Sequence, residues 1–287
     1  MDFWMLRTFD QAGYYETRLI LVALSLAIAG YFYYYKRDRR FLVMFLSGAV
    51  LQTIAEFALQ FGGFRGWSYH LAIFGAPLPS LLSPVYQGLV EGGPLALFAF
   101  WFADLRSSRA PVKSWMPFII LCMVVLALSF VAGFLGTART GGQITSQRPM
   151  FVPHSALAVT AIIFISLWIA WRKNAISALV SFFMGLLFFA FLNYEPLHLL
   201  GVRYIGVEAP GGFVRASAIP QIVVMLLSHI FEASGGKLHY FMFPLAVGLA
   251  TLKEKEISPP RERYSTQHLQ DLAQRGWRKR SKPFTKP

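Results

Sequence analysis

Long apolar stretches recur along this chain, separated by short segments rich in Lys and Arg. A run of about 20 apolar residues matches the hydrocarbon thickness of a bilayer. Such a run must satisfy its backbone hydrogen bonds within itself, which makes it a helix. The sequence therefore predicts an all-α polytopic membrane protein. Of 287 residues 55% are hydrophobic and 14% charged, against roughly a quarter charged in soluble domains.

The expected spans are Leu19–Tyr35, Phe41–Phe61, Pro84–Ala103, Trp115–Leu135, His154–Trp171 and Ala175–Tyr194, followed by two shorter stretches, Ala216–Ala233 and Leu238–Leu252. Residues 1–18 read as an amphipathic lead at the membrane interface, with no cleavable signal peptide, and residues 62–83 as a loop or re-entrant piece. Residues 1–252 form one transmembrane domain, and 253–287 a basic tail, disordered or bound to the membrane surface. Cys122, the single cysteine, excludes an intramolecular disulfide framework and fills apolar space.

The net charge of +13 does not point to nucleic acid, because it is concentrated beside the spans. The segments 36–40, 104–113, 172–173 and the tail hold most of the Lys and Arg. The opposite side keeps Arg7, Arg18, Arg65, Arg139, Arg148, Arg203, Arg215 and Lys237. By the positive-inside rule the N-terminus is outside and the tail cytoplasmic, which requires an odd number of crossings. About seven helices follow, the segment Ala-Ser-Gly-Gly-Lys marking a broken or re-entrant piece before a short last span. A compact chain with short loops suits a bacterial inner membrane.

This topology gathers ionisable groups on the outer side. Glu56 lies near the outer end of span 2, and Glu91 about 10 Å below the outer start of span 3 at roughly 1.5 Å per residue. His70, His154, Glu195, His198, Glu208, His229, Glu232 and His239 fall in the outer half, and His268 alone inside. Charged groups inside a membrane are costly unless paired or coordinated. Several sit beside helix breakers: Glu91 before Gly92, Gly93 and Pro94, Glu195 before Pro196, Glu232 before Ala-Ser-Gly-Gly. Broken helices beside charges build ligand sites in membrane proteins.

Glu195 and His198 are three apart and share a face if helical; His229 and Glu232 repeat the spacing in reverse. Two Glu/His pairs with the single acids Glu56 and Glu91 match the inventory of di-iron and di-manganese bundles, although one pair is reversed and Pro196 interrupts the other. The candidate metal ligands are Glu91, Glu195, His198, His229, Glu232 and His239. His70, His154 and His239 are candidates to complete a mononuclear site for Zn, Fe or Cu. Glu56, Glu91, Glu195 and Glu232 are candidate acid/base groups, and Gln87, Arg203 and Arg215 candidate substrate contacts. The blander reading makes Gln52, Gln60 and Gln87 hydrogen-bond partners of Glu56 and Glu91, and Lys237 a partner of Glu232.

Three functions of different class are expected in this order. The first is an enzyme acting on a lipid or isoprenoid, by metal-dependent oxidation or hydrolysis or by acid/base isomerisation, hydration or cyclisation. The second is a haem-, quinone- or metal-binding subunit of a membrane complex, with His154 facing His198 or His229 across a haem. The third is an ion-coupled transporter, against which the missing internal repeat and missing inner-half charges weigh. The expected partners are membrane lipids, a lipidic substrate and a membrane-complex subunit.

Overall fold

The computed structural model describes residues 2–9, 11–61 and 72–252. Arg65, His70 and the tail lie outside the described residues. Among the described residues, seven helices are long and apolar enough to cross a membrane: Gly13–Tyr35, Arg40–Phe61, Leu82–Ser107, Val112–Thr140, Pro153–Arg172, Ile176–Leu199 and Ala218–Ala246. The chain is an all-α polytopic membrane protein.

Helices α1 (Gln11–Tyr35) and α2 (Arg40–Phe61) are regular. The third crossing is α3 (Leu82–Gln87), a π-helical turn (Gly88–Gly92) and α4 (Gly93–Ser107). Pro94, with no N–H, does not end the helix. The chain instead widens by one residue, and the Gly93 amide bonds the Gly88 carbonyl. This crossing is the most enclosed of the seven and packs on α2 through small residues. A Cβ on Gly48 would fall 2.2 Å from the Gly92 carbonyl oxygen, and one on Gly92 the same distance from that of Gly48. Lipid supplies no hydrophobic drive for helix association, so such close backbone approach is what holds the pair.

Helix α5 (Val112–Thr140) ends at Gly141, whose φ of 60° lets its amide cap the Thr137 carbonyl. Helix α6 (Pro153–Arg172) starts on a proline in its first turn. Helix α7 (Ile176–Leu199) continues through Pro196, so the Glu-Pro-Leu-His segment is helical. The last two apolar stretches are halves of one crossing. They comprise α8 (Ala218–Ser228), a π-helical turn (His229–Ser234), a 3-10 turn (Gly235–Lys237) and α9 (His239–Ala246). The break thus falls within the seventh crossing, with no reversal of direction, and the odd number of crossings is kept.

The N-terminal end of the bundle carries structure that hydropathy did not reveal. Strand β1 (Phe3–Arg7) occupies part of the expected interfacial lead, while Tyr14–Arg18 already belong to α1. Between the short β2 (Ala72–Ile73) and β3 (Ala76–Pro77) runs a separate hairpin. Strand β4 (Ser146–Pro149) forms in the loop after α5, and the glycine-rich loop after α7 folds into β5 (Arg203–Ala209) and β6 (Gly212–Arg215). Pro210 and the positive-φ Gly211 supply the turn between the last two. The sheet order is β4-β1-β5-β6, so it ties three separate segments across one end of the bundle. Met5, Met150 and Ile205 are buried against Val224 of α8. At the opposite end Arg40 binds Asp38 (2.7 Å) and Asp104 (2.9 Å), which joins α2 to α4.

Candidate metal centre

Helix α7 places Glu195 and His198 one turn apart at its sheet end, and the π-helical turn after α8 brings His229 beside them. One ligand atom from each of the three residues lies within 4.8 Å of the others. The two imidazole ring centres are 6.1 Å apart. Phe191 stacks on His229 at 5.2 Å and Tyr194 meets it edge-on, so α7 fixes the plane of a ring carried by the π-helical turn of the seventh crossing.

The hydrogen bonds determine which ring nitrogens are free. His198 Nδ1 lies 2.7 Å from the Arg203 carbonyl oxygen, and His229 Nδ1 2.6 Å from that of Met225. A carbonyl only accepts, so in both rings Nδ1 carries the proton and donates. In the neutral rings each Nε2 keeps its lone pair, and among the described residues neither has a hydrogen-bond partner. His229 Nε2 lies 3.5 Å from Glu195 Oε1, another acceptor. One atom of each ring and a Glu195 oxygen thus lie close enough together to form a group that could hold a metal ion. Bonding of Nδ1 to a backbone carbonyl is the usual way a protein orients a metal-binding histidine. Ligand atoms about 2.0–2.2 Å from an ion are roughly 3–3.5 Å apart, so the group would have to close by about 1 Å to hold one. The His229 side chain is 1% exposed and that of Glu195 33%, which leaves the carboxylate side open.

The structure distributes the other sequence-derived candidates differently. Glu232 forms an ion pair with Arg148 of β4 at 2.5 Å. It follows His229 within a π-helical turn, where each residue turns through a smaller angle than in an α-helix, so residues three apart no longer share a face. Glu56 accepts a hydrogen bond from Gln52 Nε2 (2.7 Å), and Gln52 Oε1 accepts from Lys237 and Tyr240. Lys237 therefore bonds Gln52, and Glu232 bonds Arg148, in place of the expected Lys237–Glu232 pair. Glu91, on the π-helical turn of the third crossing, interacts electrostatically with Tyr194 and Tyr240. Gln87 bonds the Tyr15 hydroxyl (3.3 Å) in place of Glu91. His239 packs edge-on to Tyr240, and His154 is exposed in the first turn of α6. Neither belongs to the group of three, and His70 lies outside the described residues. Instead of the four acids and two histidines of a dinuclear bundle, the cluster among the described residues holds one acid and two histidines.

Arg203 adjoins the group more closely than its sequence position suggested. Its carbonyl orients His198, its guanidinium lies 4.1 Å from the Tyr194 ring centre, and its Nε contacts Met5 Sδ at 3.3 Å. Burial, reinforced by the charge of Arg7, pulls its pKa down to about 10, so it remains a cation at neutral pH. Arg215 is exposed and lies over Tyr204. Sequence reasoning missed Tyr14 and Asn193: Asn193 donates to the Tyr14 hydroxyl at 2.9 Å, joining α7 to α1 one turn before Leu197. A buried Asn next to Tyr194 was the available signal.

Comparison with protein-family models, curated proteins and solved structures finds no match for this chain. The functional reading therefore rests on the residues themselves.

Proposed function

We propose that this protein is an integral membrane enzyme in which Glu195, His198 and His229 hold one transition-metal ion and act on a lipid or isoprenoid substrate. The observation that carries the reading is the pair of buried imidazoles with Nδ1 committed to backbone carbonyls, the His229 Nε2 lying 3.5 Å from a Glu195 oxygen and one ligand atom of His198 within 4.8 Å of both residues. Two histidines and one carboxylate leave coordination positions open, the donor set of hydrolytic zinc sites and of non-haem iron oxygenases. A mononuclear site is favoured over a dinuclear one because Glu232 is committed to Arg148 and Glu56 to Gln52. Such an ion polarises a carbonyl or phosphoryl oxygen, or activates water or oxygen. Glu91, Tyr194 and Tyr240 supply polar groups deeper in the bundle.

A lipidic substrate follows from the location. The group lies at the end of helices whose outer faces are apolar, and Glu195, its exposed member, gives access. Charge asymmetry favours an orientation with the sheet end outside and the basic tail in the cytoplasm, and the compact chain with short loops suits a bacterial inner membrane.

The test compares lipid extracts of membranes containing the wild-type protein or the His229→Ala variant by mass spectrometry. The reading expects a lipid class that is cleaved, oxygenated or desaturated only with the wild type. Identical lipid profiles at equal protein levels, in cells supplied with iron and zinc, would refute an enzymatic role.

A further inference from the structure

Arg203 is 5% exposed, and among the described residues no carboxylate lies within ion-pairing distance of its guanidinium. Its contacts are a thioether and an aromatic face, neither of which neutralises a charge. A buried cation without a counter-ion is costly. Nearby charges increase that cost. Arg7 stands directly opposite Arg203 in the β1–β5 pairing, so both side chains project from the same face of the sheet. Arg148, two positions from the residue opposite Arg7, also acts on Arg203 electrostatically. Glu232 answers Arg148; Glu195 acts on Arg203 electrostatically without pairing with it and is on the proposed reading a metal ligand. A divalent ion there would add two positive charges close to the Arg203 guanidinium.

We infer that Arg203 receives the oxyanion of an anionic amphiphile, a phosphate or carboxylate head group seated between the sheet and the Glu195–His198–His229 group. This inference rests on the proposed reading and specifies its substrate class. A guanidinium presents a planar fork of N–H donors suited to two oxygens of one phosphate or carboxylate. The Tyr194 ring beneath it and the strand pairing of β5 fix that fork in place. The one-third exposed Glu195 side chain marks the approach, so the acidic head would meet Arg203 while the adjoining bond reaches the imidazole lone pairs. The acyl or prenyl chain would remain against the apolar helices.

The test uses detergent-purified protein whose metal content is measured in the same preparation. Native mass spectrometry scores retention of dioleoyl phosphatidate against dioleoyl phosphatidylcholine, and inorganic phosphate is titrated separately. Wild type is expected to prefer phosphatidate. Arg203→Gln should lose that preference about tenfold or more, the worth of a charge-assisted hydrogen bond, while Arg203→Lys should keep part of it and Arg148→Gln most of it. If Arg203→Gln does not fold, the Lys variant decides: wild-type preference there would show that the fork is not used. Competition by inorganic phosphate at the same site would identify a free oxyanion as the ligand; phosphatidate binding without competition would identify a lipid head group. Equal retention of both lipids by wild type with no phosphate binding, or full preference in Arg203→Gln, overturns the inference. Metal bound without an Arg203-dependent preference leaves the metal reading standing alone. An Arg203-dependent preference in metal-free protein does the reverse.

Discussion

His229 Nε2 and Glu195 Oε1 face each other across 3.5 Å, both as hydrogen-bond acceptors, because the Met225 carbonyl already holds the His229 ring proton. His198 adds a third lone pair, oriented by the Arg203 carbonyl. Mutual repulsion of these atoms is relieved by a cation, so ion binding and folding stability should be linked. Zinc or ferrous iron at 100 times its dissociation constant stabilises a folded protein by about 2.7 kcal/mol. Thermal unfolding of chelator-treated wild type is expected to shift upward on adding the ion. His229→Ala and Glu195→Gln should show little or no shift.

Glu232 provides the contrasting case. Its partner Arg148 is 44% exposed and it is itself 25% exposed, so the pair resembles a surface ion pair worth under about 1 kcal/mol. Glu232→Gln is expected to leave both metal content and unfolding temperature close to wild type, as read by elemental analysis and a melting curve. Loss of metal in this variant would return Glu232 to the ligand set.

The Gly48–Gly92 contact makes a third prediction. Each Cα faces the other's carbonyl so closely that a side chain at either position cannot be accommodated without separating the helices. Gly92→Val is expected to destabilise the bundle by roughly 1–3 kcal/mol or more, read as a lower unfolding temperature in detergent. It should also displace Glu91, which follows Val90 on the same widened turn. Unchanged stability would contradict the close packing of α2 on the third crossing.

The membrane architecture was legible because each span is specified by its own composition. Apolar runs and basic loops needed no long-range information, and the Gly and Pro residues beside Glu91 and Glu232 marked both π-helical turns. The four-stranded sheet was not legible. Phe3–Arg7, Ser146–Pro149 and Arg203–Arg215 are too short and irregular to read as strands alone, and their hydrogen-bond partners lie far apart in sequence. Site membership was half legible. The spacing of Glu195 and His198 foretold a shared face, since α7 continues through Pro196. The corresponding inference for His229 and Glu232 assumed α-helical geometry, which the π turn replaces. Arg203 was visible only as a flanking cation, because its burial depends on the strand pairing that brings it over Tyr194.

The central claim is that Glu195, His198 and His229 share one ion. The most direct measurement is elemental analysis of purified, folded protein beside Glu195→Ala, His198→Ala and His229→Ala. The account predicts close to one equivalent of a transition metal in the wild type and its loss in each of the three variants. Well-folded wild type that holds no metal after incubation with iron or zinc, or metal retained unchanged in all three variants, would contradict it.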